Sequence, residues 1–285
     1  MVDIKFHCDE KTNFHDGFSA RAFAYTDYSI ELHNHDFYEV NIVLNGRGTH
    51  CIENRSFHII AGDVFVIPPM VAHSYINTDQ LEVYHILLKK DFLKRNQEES
   101  KQVAGFLQLT EIEPFLRSTS SNTFFLHLSQ LQMIQLKNEL AFIDDNGPFS
   151  WEACAPMKYH EIWKILYWLS MLLNQQVLLE ETAHPKQYEF YILDALSYIH
   201  KHYSEKITID ILCKKVFLSR STFLRAFKEI CQISPMEYLK KYRCEKAMEM
   251  LNSADCSKTM VAQNCGFYDL SHMMHALKQY GKYCS

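Results

Sequence analysis

The spacing of apolar and polar residues changes near Leu88 and divides the chain into a strand-rich part and a helical part. Before Leu88, apolar and polar residues alternate in short runs such as Glu39–Leu44 and Asp63–Ile67. Asn45-Gly46 and Ala61-Gly62-Asp63 mark predicted turns. Alternation with a period of two is typical of half-buried strands, so the sequence predicts a small barrel or sandwich here.

Beyond Leu88 the apolar residues follow helical spacing, which predicts helices over Leu128–Phe142 and Tyr159–Leu179. The second predicted helix carries one apolar stripe, made of Ile162, Ile165, Leu166, Leu169, Leu172 and Leu173. Such a stripe either packs on the barrel or forms a dimer interface, because amphipathicity alone does not name a partner. Both interpretations stay open, with the interface placed near residues 156–179.

The last third of the chain predicts two helix-turn-helix units, at about residues 207–230 and 257–282. Thr208 and Ser219 are predicted to cap the two helices of the first unit, and Ser234-Pro235-x-Glu237 predicts a capping box. The long helix that begins at this box is predicted to join the two helix-turn-helix units. A helix-turn-helix unit fits the major groove of DNA. The alternative is a helical bundle with no role in DNA binding.

The second helix of the first unit is predicted to expose a face that can bond phosphates and base edges. The residues on this face are Arg220, Ser221, Thr222, Leu224 and Arg225.

Charge is distributed unevenly. Residues 1–189 carry 15 Lys and Arg against 25 Asp and Glu, whereas residues 190–285 carry 14 against 9. A basic C-terminal third fits contact with a polyanion, although ordinary variation between domains would also produce this difference.

The cysteine pattern and the lack of a recognisable signal or membrane-spanning segment predict a cytoplasmic protein with no membrane association. The nine cysteines are scattered without a CxxC pair, which is typical of a reducing compartment. The N-terminus lacks a basic segment followed by an apolar run, and the apolar stretch Ile165–Leu173 is too short to span a bilayer. Disorder is expected only at the termini and in a loop from Arg117 to Asn122.

The motifs of the C-terminal third resemble those of the AraC/XylS family of transcription regulators. They are Ser234-Pro235-x-Glu237-Tyr238-Leu239-x3-Arg243-x3-Ala247-x3-Leu251 and then Ala262-x2-Cys265-Gly266-Phe267. The resemblance covers about residues 190–285. It implies a domain of two helix-turn-helix units that binds double-stranded promoter DNA, attached to an effector-binding and dimerisation domain. A homodimer is therefore expected.

The resemblance also implies which residues meet DNA. By position, the base-reading slots of the family fall on Ser221, Leu224 and Arg225 in the first unit. In the second unit they fall on Ser271, Met274 and His275, with His272 on the same helix.

Three departures from the family pattern predict a weaker second unit and a strained first turn. Phe217 stands where a small turn residue is usual, and a non-glycine residue with positive φ is strained. His275 occupies a slot often held by arginine, beside the apolar Met274. The family usually continues beyond Lys282-Tyr283-Cys284-Ser285 with a further short helix.

The N-terminal part resembles the two cupin motifs. These are His33-x-His35-x3-Glu39-x6-Gly46 and Gly62-x5-Pro68-x4-His73-x3-Asn77, with Met70 in place of a usual glycine. Residues 33, 35 and 39 share parity, so the sequence predicts that these side chains point into one lumen with His73.

Three imidazoles and a carboxylate suit Zn²⁺, Fe²⁺, Ni²⁺ or Mn²⁺. In regulators of this type the lumen instead binds a small effector, often a sugar, with no required cofactor, so His33, His35, Glu39 and His73 are candidates for either ligand. A metal-dependent cupin enzyme and a non-catalytic interaction module are the competing classes.

The predicted fold is therefore α+β, with a cupin-like barrel and accessory helices over residues 1–180. A polar linker containing His184-Pro185 follows at 181–189, and an all-α DNA-binding domain occupies 190–285. The predicted function is a ligand-responsive transcription regulator and not an enzyme.

Overall fold

The computed structural model describes residues 6–8, 13–14, 17–26, 30–52, 55–119, 126–183, 188–252 and 257–281. The chain divides into two compact units. The first is formed by Val2–Thr182 and the second by Ala183–Ser285. The centre of the expected linker, residues 184–187, and the last four residues lie outside the described part. The fold is α+β, with a strand-rich first unit and a helical second unit.

The first unit is built on one sheet of eight strands. They are β1 (Phe6–Cys8), β2 (Ala20–Thr26), β3 (Ile30–His35), β4 (Tyr38–Ile52), β5 (Arg55–Ile60), β6 (Asp63–Ile67), β7 (His73–Leu88) and β8 (Leu126–His127). Their order is β1-β3-β7-β4-β6-β8, with β2 also paired to β7 and β5 to β4. All pairs are antiparallel except β1 with β3.

The predicted turn at Asn45-Gly46 is wrong, because β4 continues through these residues. Its pairing with β7 shifts register between Val43 and Thr49, so the strand bulges instead of ending. Gly46 has a φ of 72°. A Cβ there would lie 2.1 Å from the carbonyl oxygen of Gln80, so the bulge needs glycine. The turn at Ala61-Gly62 is confirmed between β5 and β6.

The strands enclose an apolar core whose members are almost fully buried. These residues are Val43, Ile59, Phe65, Ile67, Tyr75, Leu81 and Val83. Burial of one such side chain contributes about 1.5–3 kcal/mol, so this cluster is a main source of stability for the first unit.

Helices follow β7 and cover the sheet. They are α1 (Lys90–Arg95), α2 (Gln97–Ser100), a π-helical turn (Gln108–Ile112) that continues into α3 (Glu113–Thr119), α4 (Gln130–Ile143) and α5 (Trp151–Ala183). The expected loop beginning at Arg117 is wrong at its first residues, because α3 continues to Thr119 and Arg117 is fully buried. Residues 120–125 of that loop lie outside the described part.

Helices α4 and α5 correspond to the two predicted helices. Lys164 on α5 bonds Glu139 on α4 at 2.7 Å. The stripe of α5 faces inward, since Ile162, Ile165, Leu166, Leu169 and Leu173 are at most 1% exposed and Leu172 is half-buried. Packing within the protomer therefore accounts for this stripe.

The second unit contains the two predicted helix-turn-helix units joined by a long helix. Its helices are α6 (Glu189–His202), α7 (Ile209–Lys215), α8 (Arg220–Cys231), α9 (Pro235–Asn252), α10 (Lys258–Asn264) and α11 (Leu270–Gly281). The predicted caps are confirmed, since Thr208 accepts from the amide of Ile211 and Ser219 from that of Thr222.

The capping box of α9 is also confirmed. Ser234 Oγ accepts from the amide of Glu237 at 3.3 Å, and Glu237 Oε2 accepts from the amide of Ser234 at 2.9 Å. Within the described residues, none of the helices combines the length and the apolar character needed to cross a bilayer.

Candidate functional site

A buried cluster of histidines around one carboxylate, here called the His–Glu cluster, lies inside the first unit. It consists of His33 and His35 on β3, Glu39 on β4, and His73 and His85 on β7. His35 Nε2 is 2.8 Å and His73 Nε2 3.6 Å from Glu39 Oε2. The ring of His33 packs on that of His73, with centroids 4.2 Å apart.

Glu39 is not on the strand of His33 and His35, so the predicted shared parity is wrong for this residue. β3 ends at His35 and β4 begins at Tyr38, so Glu39 comes from the neighbouring strand after a turn. The side chains nevertheless meet, because both strands pair with β7 and present these residues to the same interior.

Backbone carbonyls fix the orientation of three imidazoles. The Nδ1 atoms of His33, His35 and His73 lie 3.0, 2.8 and 3.0 Å from the carbonyl oxygens of Glu31, Phe37 and Val71. A carbonyl only accepts, so each Nδ1 donates and each Nε2 of a neutral ring is left as an acceptor. His35 and His73 thus direct Nε2 toward a carboxylate, an arrangement that needs a proton or a cation between them.

His85 is a member that the sequence motif does not include. Its Nδ1 lies 2.5 Å from Glu39 Oε1, and its ring stacks on Phe23. A sequence signal exists, since His85 interrupts an alternating apolar series of Leu81, Val83 and Leu87. A polar residue in such a series is either satisfied in the core or part of a site.

Electrostatics keep the central carboxylate ionised. Burial alone would raise the pKa of Glu39, but the charge of His85 and bonds from His35, His73 and His85 hold that pKa well below its ordinary range. Burial and the neighbouring His73 lower the pKa of His33 to about 4. The cluster therefore has a negative charge at its centre, on the Glu39 carboxylate.

The donor atoms of three members of the cluster converge as the ligands of a metal ion do. One donor atom each from His35, Glu39 and His73 lies within 4.8 Å of the others, and all three side chains are buried. Their Nδ1 bonds to carbonyls are the outer contacts that orient metal-ligating histidines in proteins. These three residues fit a divalent cation, whereas His33 does not belong to the converging set.

A second group of buried polar side chains, here called the Arg117 cluster, lies in the same interior. It consists of Asn41 and His50 on β4 and of Glu113 and Arg117 on α3. The two charges pair, with Arg117 Nε 2.9 Å from Glu113 Oε1. Arg117 Nη2 donates to the carbonyl of Val66, and Nη1 lies 3.4 Å from His50 Nδ1.

Burial sets the protonation of the Arg117 cluster. Burial raises the pKa of Glu113 to about 7, although the Arg117 guanidinium opposes the shift. Burial, the charge of Arg117 and the neighbouring His73 all lower the pKa of His50 well below its ordinary range. His50 is therefore neutral near pH 7. No motif predicts this group, because the β4 residues are far along the chain from the α3 residues that they meet.

The second unit exposes two recognition helices. On α8, Arg220, Ser221 and Arg225 are exposed while Thr222 and Leu224 are half-buried. On α11, the four predicted contact residues are all exposed: Ser271, His272, Met274 and His275. The opposite faces hold these helices in the core, through Phe223 and Phe227 on α8 and Met273 and Ala276 on α11.

The predicted contact residues are not all equally available. Arg220 Nη1 lies 2.8 Å from Asp210 Oδ1 on α7, and this exposed ion pair balances its charge. On α11, His275 Nε2 lies 2.9 Å from the side-chain amide of Gln279. His272 Nδ1 accepts from the amide of Tyr268 at 3.4 Å. Arg225 is thus an exposed arginine on α8 well suited to meet a phosphate or a guanine.

Helix α9 connects both helix-turn-helix units through side-chain contacts. Tyr238 near its start bonds His200 of α6 and packs on Phe227 of α8. Glu245 further along accepts from the hydroxyl of Tyr280 on α11 at 2.8 Å. Both recognition helices are therefore anchored to the same helix, which would hold them at a fixed separation on one DNA molecule.

Two family models match this chain. Residues 17–137 match the AraC-like ligand binding domain, and residues 212–282 match a helix-turn-helix domain. The chain belongs to the AraC family.

Curated relatives include the HTH-type transcriptional activator RhaS of Escherichia coli O139:H28, which is 26% identical over 241 residues. RhaS of Citrobacter koseri is 27% identical. Each of these alignments covers 84% of this chain and 80% of the relative.

Similar solved structures include ToxT from Vibrio cholerae, with a TM-score of 0.38 and 10% identity over 92% of this chain and 95% of that one. The DNA-binding domain of AdpA with a target DNA has a TM-score of 0.30 and 24% identity, covering 31% of this chain and 79% of that one.

The AraC family match assigns each unit its part in the function. The ligand-binding match spans the His–Glu cluster and the Arg117 cluster, and the helix-turn-helix match spans both recognition helices. This AraC-family protein is therefore a DNA-binding transcription regulator with a ligand-binding domain.

Proposed function

We propose that this regulator activates transcription as a cytoplasmic homodimer when a small molecule, such as a sugar or a related metabolite, enters the first unit. The single observation that carries the proposal is that α8 and α11 are exposed and both anchored to α9, while the other unit of the chain encloses buried polar groups. The name of the RhaS relatives supports activation.

The DNA contacts are proposed to come from α8 and α11. Ser221, Leu224 and Arg225 read one major groove, with Arg220 and Thr222 at its edge, and Ser271, His272, Met274 and His275 meet the next. Successive major grooves on one face of the duplex are about 34 Å apart, which a rigid α9 can match. Arg225 is the strongest contributor, because a bidentate arginine contact distinguishes guanine from other bases.

The effector is proposed to bind beside the His–Glu cluster, in contact with His33, His35, Glu39 or His73. Buried polar atoms are costly unless they bond something, so an interior this polar favours a ligand with several hydrogen-bonding groups. The cluster then serves recognition and not catalysis, and no cofactor is required for DNA binding.

A divalent metal is a second ligand that the donor set favours. His35, Glu39 and His73 would hold it, and its charge would neutralise the buried carboxylate. Elemental analysis of the purified protein tests this. Stoichiometric Zn, Fe, Ni or Mn that is lost in His35→Ala supports the site, and metal-free protein that keeps its full stability contradicts it.

Selection of bound sequences from a random DNA pool tests the proposal as a whole. The full chain should enrich two short motifs about one helical turn apart, and Arg225→Ala should lose the motif that it reads. Arg21→Ala in the first unit is the matched control and should enrich the same motifs as the wild type. Failure of the wild-type chain to enrich any motif would contradict DNA recognition.

A further inference from the structure

We propose that the Arg117 cluster is an effector subsite for the hydroxyl groups of a neutral polyol, and that Arg117 positions His50 as a hydrogen-bond donor in it. The inference rests on the proposed function, since it names the residues and the ligand class of the same interior. Arg117 acts through His50 and is thus a positioning residue.

The donor role of His50 follows from its contact with Arg117. A guanidinium has five N–H donors and no acceptor, so Nδ1 of His50, 3.4 Å from Arg117 Nη1, must be the accepting nitrogen. A neutral imidazole with an accepting Nδ1 carries its proton on Nε2. His50 therefore has the opposite tautomer to His33, His35 and His73, whose Nδ1 atoms donate to carbonyls.

Three groups of the cluster offer unused hydrogen-bonding capacity. Among the described residues, His50 Nε2, both side-chain atoms of Asn41, and Glu113 Oε2 are buried without a hydrogen-bond partner. They offer donors from His50 and Asn41, and acceptors from Asn41 and Glu113. A hydroxyl group both donates and accepts, so a polyol satisfies such a mixed set.

The backbone register places these groups along one wall. Asn41 lies opposite Phe65 across the β4–β6 pair, so the two side chains share a face of the sheet. The Phe65 ring stacks on His50 at 4.7 Å between centroids, and the Arg117 guanidinium lies 5.0 Å from its centroid. Phe65 therefore holds His50 and Arg117 on the same wall of the interior as Asn41.

Charge favours a neutral ligand over a carboxylate. The Arg117 guanidinium is already paired with the Glu113 carboxyl group, with Nε 2.9 Å from Oε1. A ligand carboxylate would thus enter an interior without excess positive charge and would lose its hydration there, which is unfavourable.

Imidazole ¹⁵N NMR of the histidine-labelled full chain tests the positioning role without any ligand. His50, assigned with the His50→Gln variant, should carry its proton on Nε2. The double variant Arg117→Met/Glu113→Gln, which leaves no lone buried charge, should convert His50 to a mixture of tautomers. Arg21→Met/Asp145→Asn removes another ion pair and should change nothing. An Nδ1–H form in the wild type, or an unchanged His50 in the first double variant, overturns the proposal.

Matched sugars test the ligand class. At pH 8, D-glucose and D-galactose should raise the melting temperature more than D-glucuronate and D-galacturonate, and Asn41→Leu should weaken sugar binding at least tenfold. A uronate that stabilises equally, or no response to any sugar, overturns the class. DNA binding measured on the same samples separates the proposals, since its absence in the wild type would instead contradict the regulator function.

Discussion

At the scale of single residues, the two helix-turn-helix units have different residue types at the same turn position, which has a positive φ in both. Gly266 has a φ of 73°, and Phe217 adopts a φ of 55° although it is not glycine. The Phe217 side chain is 91% exposed, so no packing compensates for the strain. A Cβ on Gly266 would instead lie 2.7 Å from the carbonyl oxygen of Ser204.

Reciprocal substitutions at these turns should therefore have opposite effects on stability. Gly266→Ala should lower the free energy of unfolding by roughly 1–3 kcal/mol, because it adds both strain and a clash. Phe217→Gly should be neutral or stabilising by up to about 1 kcal/mol, because relief of strain is offset by backbone entropy. Urea denaturation checks both, and a Phe217→Gly loss as large as that of Gly266→Ala would contradict the account.

The raised pKa of Glu113 predicts that the stability of the protein depends on pH. Its folded-state pKa of about 7 lies above its ordinary value of 4.5, so its contribution to stability is complete below pH 4.5 and is lost as pH rises through 7. Between pH 5 and 8 the wild type should lose roughly 1–3 kcal/mol relative to Glu113→Gln. Denaturation at each pH measures this, and parallel pH profiles of the two proteins would refute the shift.

At the scale of elements, the pattern of the chain predicted helices and caps well and predicted strand ends less well. Thr208, Ser219 and Ser234 cap helices as expected, because capping is a local interaction. The course of β4 through Gly46 depends on its pairing with β7, which a local turn signal does not contain.

The residues of the two buried clusters also differ in whether the sequence alone predicts them. The histidines at 33, 35 and 73 could be found because their motif spacing is visible in the chain. His50, Glu113 and Arg117 meet only through the tertiary fold, and a charged pair four residues apart resembles any exposed helical pair in a sequence.

The two recognition helices should contribute unequally to DNA affinity. Arg225→Ala should weaken binding by about 1–3 kcal/mol and relax the preference for the base pair that it reads. His275→Ala should cost less, because that imidazole already bonds Gln279 and cannot make the bidentate contact to guanine that an arginine makes. Fluorescence anisotropy with a selected DNA duplex measures both variants. Equal losses would remove the distinction between a stronger and a weaker unit.

At the scale of the whole molecule, the homodimer remains a proposal, and its interface is placed on the outer faces of α4 and α5. Leu131 and Ile134 on α4 and Met171 and Leu179 on α5 are large apolar residues that are each more than half exposed. Exposed apolar residues concentrated on two packed helices are typical of a surface that meets a partner.

Charge introduced on this surface should separate the protomers. Ile134→Glu/Met171→Glu should raise the dimer dissociation constant at least tenfold, whereas Ile76→Glu, at an exposed apolar position on β7, should leave it unchanged. Analytical ultracentrifugation measures both. A wild-type chain that stays monomeric at 100-fold above the concentration used for DNA binding would exclude this interface.

The most direct test of the account is a salt titration of DNA binding by the full chain. With a selected duplex, the logarithm of the affinity should fall linearly with the logarithm of salt concentration, with a slope of about −0.9 for each phosphate neutralised. Affinity should also exceed that for a scrambled duplex by about 10³-fold or more. Binding that is independent of salt, or equal for both duplexes, would contradict sequence-specific recognition by α8 and α11.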